Sequence, residues 1–361
     1  MRILLWVPYP KEGPSNRYRV EQYLPYLHKI NADFSLRYFW SSKTYAILYK
    51  DGYFFRKVFS FIVGAIKRII DIIFIYRFDL VFIHREAFPI GGAFFERLVW
   101  LLGKKIIFDF DDAIFSPSVS KTNSFVEKLK SHKKIITIIK ISSFVIAGNA
   151  YLADFARQYN KNVLVIPTSI DTERYAYPER IYEKKEIVIG WMGSFTTVEF
   201  LSMLKNVFVA LSRKFSNISF KIIGGSFSMD GLSNVVSKAW SLTDELDDLK
   251  SIDIGIMPMP DNQWTRGKCG FKAILYMSMA IPSVCSDVGV NKEIIADGVN
   301  GFLADTEKEW IDKLSLLIKD GILRKNLGLA GQKTIEERFS VRVNSKRFLE
   351  TILKVYEKGK R

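Results

Sequence analysis

Short apolar runs alternate along this chain with longer segments in which apolar positions return every three or four residues. The first kind reads as strand and the second as amphipathic helix. Runs of the first kind fall near Ile3–Val7, Leu80–His84, Ile106–Phe110, Phe144–Ala147 and Val163–Ile166, and again near Ile187–Trp191, Phe220–Ile223, Ile254–Met257 and Ser283–Cys285. Strands alternating with helices through both halves predict an α/β protein of two domains with mainly parallel sheets. The polar stretch "DTERYAYPERIYEKKE", residues 171–186, reads as a linker between a first domain, residues 1–170, and a second, residues 187–340. From Glu307 onward the pattern is helical, and a last helix, residues 341–361, can pack back on the first domain.

One helical pattern, between Phe54 and Tyr76, carries Phe55, Phe59, Ile62, Ile66, Ile69 and Ile73 as a stripe. Arg56 and Lys67 are eleven residues apart, as are Lys57 and Arg68, so each pair returns to nearly the same helical angle. Two readings stand: a helix whose stripe is buried in the core, or a surface helix lying on anionic lipid. The stretch "KLKSHKKIITIIK", residues 128–140, repeats the theme.

The formal net charge of +15 points to a polyanionic partner. No nucleic-acid module is visible, and aromatics are not interleaved with basic residues as a stacking platform needs. Cys269 and Cys285 are the chain's two cysteines and lack metal-ligand spacing, which predicts a reducing cytosol and neither disulfides nor structural zinc. No run is long and apolar enough to span a bilayer, and "MRILLWVPYP" reads as a first strand rather than a signal peptide.

Ligands of open α/β sheets bind beyond the carboxyl ends of strands, so the loops there carry the candidates. After "IVIGW", Gly193 allows a tight turn, Ser194 follows, and Thr196 with Glu199 spells a capping box. After "DIGIMPMP", the segment "WTRGKCGFKAILYM" sets Arg266, Lys268 and Lys272 at a helix start, with no Asp or Glu between Asp261 and Asp287. Cations are unfavourable at a helix N-terminus, and a diphosphate would supply the missing charge. A solvated basic loop is the plain alternative. In "SDVGVNKEIIADGVNGFL", Gly289, Val290 and Asn291 form another turn into a helix. Three such loops could surround one nucleotide.

These motifs, with "VIAGNAYLADFARQYNKNVLVIPTSIDTERY" and "GWMGS", resemble the family-four (group 1) retaining glycosyltransferases. The resemblance covers most of residues 100–305, and the first hundred residues more loosely. It implies the GT-B architecture, two Rossmann-like domains with mainly parallel sheets facing a central cleft. It also implies that Lys272 contacts the donor diphosphate with Gly193 and Ser194 beneath it. The turn of Gly289, Val290 and Asn291 would approach sugar and phosphates, while Glu293 braces that turn. The family often has two glutamates separated by seven residues, the second commonly holding the ribose. Here Gly267 and Leu275 stand in those places. Many members have an Arg in the first loop of this domain, which "GWMGSF" lacks, and Arg266 and Lys268 are expected to replace some of its charge.

In the first half "KKIIFDFDDAIF" puts Asp109, Asp111 and Asp112 at a strand end, with alternation sending Asp109 and Asp111 to one face and Asp112 to the other. Capping of a following helix is the structural alternative. In many relatives a His-Asp pair sits here, so Asp111 and Asp112 stand in for it, and Asp111 would orient or deprotonate an acceptor hydroxyl. "FIHREAFPIGG" adds His84, Arg85 and Glu86 at another strand end, with His84 a candidate acid/base. "PYPKEGPSNRYRVEQYL" offers Ser15, Asn16, Arg17 and Arg19 toward the donor phosphates, Arg17 first among them. Asn149 follows a further strand and is taken to face the same cleft.

The expected protein is a cytoplasmic hexosyltransferase, peripheral on the inner face of the cell membrane. It would move a sugar from a nucleotide diphosphate sugar to a glycan or lipid-linked acceptor, in cell-surface polysaccharide or lipopolysaccharide synthesis. It would use no cofactor and no metal, and its partners would include an anionic membrane surface but no nucleic acid. A D-x-D also suits a metal-dependent transferase, or a dehalogenase-type phosphatase in which it would follow the first strand of the domain. The rival functions are a noncatalytic nucleotide-sugar or membrane-binding partner of an assembly complex and a sugar-nucleotide epimerase on the same fold.

Overall fold

Strand-forming runs in this chain become parallel strands because each is followed by a helix that returns the chain to the same end of the sheet. A computed structural model describes residues 1–116, 133–176, 181–229 and 231–359. In it the chain divides into two compact units, Met1–Ser169 with Val341–Arg361, and Ile170–Ser340.

The first unit holds β1 (Arg2–Val7), β2 (Asp33–Tyr38), β3 (Leu80–His84), β4 (Lys105–Phe110), β5 (Phe144–Ala147) and β6 (Val163–Val165). They form one sheet in the order β2-β1-β3-β4-β5-β6, and every pairing is parallel. Period-two alternation splits the strands between two cores. Leu4, Trp6, Val81, Ile83, Ile106 and Phe108 pack on one face with Phe95, Val99 and Ile138 from helices. Ile3, Leu5, Val7, Phe82 and Ile107 pack on the other with Tyr23, Phe348 and Ile352. The helix Val341–Glu357 therefore covers the first unit's sheet, and Phe348 stacks on Tyr23 at 4.6 Å between ring centroids.

The second unit holds β7 (Ile187–Met192), β8 (Ile218–Ile223), β9 (Val235–Lys238), β10 (Ile254–Met257), β11 (Ser283–Ser286) and β12 (Phe302–Ala304). Their order is β12-β11-β10-β7-β8-β9, again parallel throughout. Ile189, Trp191, Phe220 and Ile256 meet Phe208, Trp310 and Leu314 on one face. On the other, Gly255 lets the helix Phe271–Ser278 come close, since a Cβ there would stand 2.4 Å from the Tyr276 ring. Of the stretch read as linker, Tyr175 is buried and donates to Glu245 within this unit. Residues 177–180 lie outside the described residues.

At three points the structure departs from the sequence reading or decides between its alternatives. The runs named from the sequence omit β2, β9 and β12. The stripe on the helix Phe54–Ile73 is not in the core: Phe55, Phe59, Ile62, Ile66, Ile69 and Ile73 are all exposed, and Arg68, expected among the surface cations, is buried. Of the basic stretch 128–140, residues 128–132 lie outside the described residues, and Lys134 points inward, where it pairs with Glu86 and donates to the Phe88 carbonyl at 2.7 Å.

Candidate functional site

In the first unit the carboxyl ends of the central strands carry buried charge. His84 of β3 stands opposite Asp109 of β4 in register, so both side chains leave the sheet on one side, with His84 Nδ1 2.7 Å from Asp109 Oδ2. Arg19 donates Nε to the same carboxylate at 3.2 Å and completes the ion pair with its Nη2. The expected reach of Arg19 toward donor phosphates is thereby replaced by a buried pairing inside the sheet.

The loop after β1 brings in Ser15. Gly13 permits its tight return, since a Cβ there would come within 2.6 Å of the Tyr9 Cβ, and Pro14 opens the helix Pro14–Arg19. Ser15 Oγ lies 2.8 Å from His84 Nε2 and donates to Asp111 Oδ2 at 2.5 Å. Arg85 then donates Nε to Asp111 Oδ1 at 2.7 Å and Nη2 to Asp112. Its φ of 62° is left-handed, a conformation that costs a non-glycine residue roughly 1–2 kcal/mol and recurs at functional sites. Alternation does not separate Asp111 from Asp112, because β4 ends at Phe110 and Arg85 gathers both carboxylates.

The contacts joining Asp109, His84, Ser15 and Asp111 each require a hydrogen. Burial pushes the Asp109 and Asp111 carboxyls up, but Arg19 beside the first and Arg85 beside the second outweigh it, and both are held below the usual carboxylate range. With both carboxylates ionised, the Ser15 hydroxyl donates to Asp111, and the two ring nitrogens of His84 face Ser15 and Asp109 in roles set by its tautomer. Ser15 thus links the Asp111 carboxylate to the His84 ring in one hydrogen-bonded line. Among the described residues, no group of three or more His, Cys, Asp or Glu is arranged to hold a metal ion.

Two other candidates of this unit have local duties. Arg17 is buried, donating Nη2 to the Tyr18 hydroxyl at 3.0 Å. Asn149 caps the helix Ala150–Arg157, accepting from the Leu152 N–H at 2.9 Å.

In the second unit glycines govern the strand ends. Gly193 follows β7, and a Cβ there would stand 2.5 Å from Trp191 and 2.6 Å from Lys272 Cε. Lys272, in the first turn of the helix Phe271–Ser278, runs its stem against Gly193 and reaches the Thr197 hydroxyl with Nζ at 3.4 Å. Gly224 after β8 has a φ of +86°, and a Cβ there would collide with the Gly193 carbonyl at 2.0 Å. Ser194 is exposed and shares a hydrogen bond with Thr196 at 2.7 Å. The expected capping box does not form: the turn Val198–Leu204 begins after Thr197 without a side-chain cap.

The three cations do not share one helix start. Arg266 ends a separate short helix, Gln263–Arg266, capped by Asn262. It forms a two-pronged pair with Asp261 at 2.6 and 2.9 Å, so its charge is met five residues back in sequence. Lys268 lies 3.8 Å over the Trp264 ring. Lys272 alone of the three remains at a helix N-terminus. Gly289 has a φ of +54°, and a Cβ there would touch the Arg266 backbone at 3.1 Å, so the loops after β10 and β11 meet. Val290 and Asn291 are buried behind them, with Asn291 Nδ2 donating to the Ser286 carbonyl at 2.9 Å. Glu293 is exposed. Leu275, in the place expected for a ribose-binding glutamate, is buried.

Sequence reasoning missed Ser15 as the hub between His84 and Asp111 and missed Arg85 as the clamp on two aspartates. The left-handed Arg85 gave no signal in the sequence. "DFDD" with "HR" at neighbouring strand ends did announce opposite charges that could pair.

Residues 186–320 match the family model described as Glycosyl transferases group 1. No curated protein matches the chain by sequence. Among solved structures, a sucrose-phosphate synthase from Thermosynechococcus elongatus superposes with a TM-score of 0.70 at 12% identity, over 99% of this chain and 100% of that one. A glycosyltransferase from Rickettsia africae ESF-5 gives 0.68 at 14% identity over 98% of each chain. Anabaena HepE in complex with UDP gives 0.63 at 14% identity, over 98% of this chain and 100% of that one. The chain has the GT-B fold, and the match to the group 1 glycosyltransferase model falls within its second unit.

Proposed function

We propose that this protein is a nucleotide-sugar-dependent glycosyltransferase that transfers a hexose, with retention of anomeric configuration, to a glycan or a lipid-linked glycan. The observation that carries the reading is Lys272, whose stem crosses beneath Gly193 and whose ammonium reaches Thr197 inside the segment matching the group 1 family. Charge develops on a nucleoside diphosphate as the bond to its sugar breaks. A fixed cation at a helix N-terminus stabilises that charge without having to reorganise. The complexes of HepE with UDP and with UDP-glucose support a nucleotide sugar as the donor.

The acceptor hydroxyl must lose a proton as it attacks. We assign that proton to Asp111, with Ser15 and His84 behind it as the route along which it moves. Asp112 positions Arg85, which in turn fixes Asp111. Arg19 and Arg85 already pair with Asp109, Asp111 and Asp112, so we assign these carboxylates to proton handling rather than to a metal ion. Synthesis of a cell-surface polysaccharide or lipopolysaccharide suits such an acceptor.

A panel of nucleoside diphosphates and their sugars, read by thermal shift and by sugar transfer, tests the reading. Stabilisation by a nucleoside diphosphate that is lost in Lys272→Ala supports it. No shift with any nucleotide, together with no transfer, overturns it. A noncatalytic nucleotide-sugar-binding partner is the second reading, favoured by the buried Leu275, and any turnover excludes it.

A further inference from the structure

The helix Phe54–Ile73 turns its polar side inward. Gly64, Arg68 and Asp71 are buried. Arg68 donates Nε to the Ala87 carbonyl at 2.9 Å and Nη2 to the Val7 carbonyl at 3.2 Å. The Trp6 indole donates to Asp71 Oδ2 at 2.9 Å. Gly64 admits the Phe39 ring, which a Cβ would meet at 2.8 Å. Rolling the helix to hide its apolar side would strand a buried ion pair, so the apolar side is held in the open. Phe55 is 85% exposed, Phe59 68% and Ile73 61%.

Two neighbouring helices, Phe94–Leu101 and Lys133–Ile141, pack on the same side of the sheet and continue this face. Phe94, Trp100 and Leu101 are exposed. Between the two helices runs a groove of about 460 Å³, lined by Trp100 and by the cations Arg97 and Lys140. The acids of the three helices are Asp71 and Glu96, and both are buried. Arg56, Lys67, Arg97, Lys133 and Lys140 are exposed. A face that is apolar and cationic repels a second copy of itself and complements a surface with anionic headgroups over an apolar interior. No helix among the described residues is long and apolar enough to cross a membrane.

We propose that this face seats the first unit on an anionic phospholipid bilayer. The stripe of the helix Phe54–Ile73 enters the acyl boundary, and Arg97 and Lys140 meet headgroup phosphates. The proposal does not rest on the transferase reading, and its test contains no nucleotide.

Flotation of the whole chain with phosphatidylcholine vesicles, with and without phosphatidylglycerol, provides that test. Recovery with the anionic vesicles alone is expected, and it should decline as salt rises. A Phe55→Ser/Phe59→Ser/Ile66→Ser variant should lose about tenfold or more in vesicle affinity. Arg56→Glu/Lys67→Glu should lose a similar factor. Both variants should keep the parent melting temperature, because the altered side chains face solvent. Equal recovery with neutral vesicles, binding unchanged in both variants, or no recovery with anionic vesicles at low salt would overturn the proposal. So would a dimer of the parent chain that the triple variant abolishes.

Discussion

Both units end their strands in functional-looking loops, yet they fill those ends by opposite means. In the first, Arg19, Asp109, His84, Ser15, Asp111 and Arg85 satisfy one another in a buried chain. In the second, Gly193, Gly224 and Gly289 remove side chains so that backbone and the Lys272 stem can crowd together. Charges that already have partners are suited to moving a proton. Backbone brought close around a single lysine is suited to receiving an anion from outside. The two units should therefore fail differently when altered.

The largest effect is expected where the first unit's pairing is cut. Asp109→Ala leaves Arg19 buried without its carboxylate and should cost about 3–5 kcal/mol in denaturant unfolding. The same pairing sets an acid limb. The Asp109 pKa is lower in the fold than in the open chain, so its stabilisation is complete above the unfolded value, near pH 3.9, and is lost as pH falls through the folded value. Asp109→Asn should flatten that limb.

Next comes the chemistry. Asp111→Asn should reduce turnover by about a hundredfold or more while leaving donor affinity unchanged, measured as kcat against nucleotide Kd. Unchanged turnover would give Asp111 a purely structural role. In the second unit Lys272→Ala should lower affinity for a nucleoside diphosphate by roughly tenfold or more and affinity for the nucleoside far less, as calorimetry can read. Arg266→Ala should do least, within about 1 kcal/mol in either stability or binding, because its pair with Asp261 is half exposed. A loss for Arg266→Ala equal to that for Lys272→Ala would restore the shared cation cluster. Exhaustive EDTA should leave transfer intact, and recovery that depends on added manganese or magnesium would move Asp109 and Asp111 from proton handling to metal binding.

What the sequence disclosed follows the same division. Strands near the middle of each sheet were legible as unbroken apolar runs, because helices cover both their faces. The strands it concealed, β2, β9 and β12, all lie at sheet edges; β2 is mostly half-buried and β9 largely open to solvent, so their composition is mixed. Lys272 and Gly193 could be found from the succession of strand, glycine and helix. Ser15 could be named there but not joined to His84 and Asp111, because these partners lie 69 and 96 residues away. For the helix Phe54–Ile73 the periodicity was plain but its direction was not. Arg68 and Asp71, three residues apart, were the sign that the polar side had a buried partner to meet.

The chain enters and leaves the second unit at neighbouring points. The Ile170 N–H donates to the Phe339 carbonyl at 2.9 Å, and Ile170 bridges Ser340 in parallel. Topologically the second unit is an insertion into the first, spliced in where its two ends already touch. Residues 170–340 can accordingly be excised as one continuous piece, and the flanks rejoined by a short loop. Each part could then be exchanged with its counterpart from another GT-B protein, so that nucleotide preference and vesicle binding would be inherited separately.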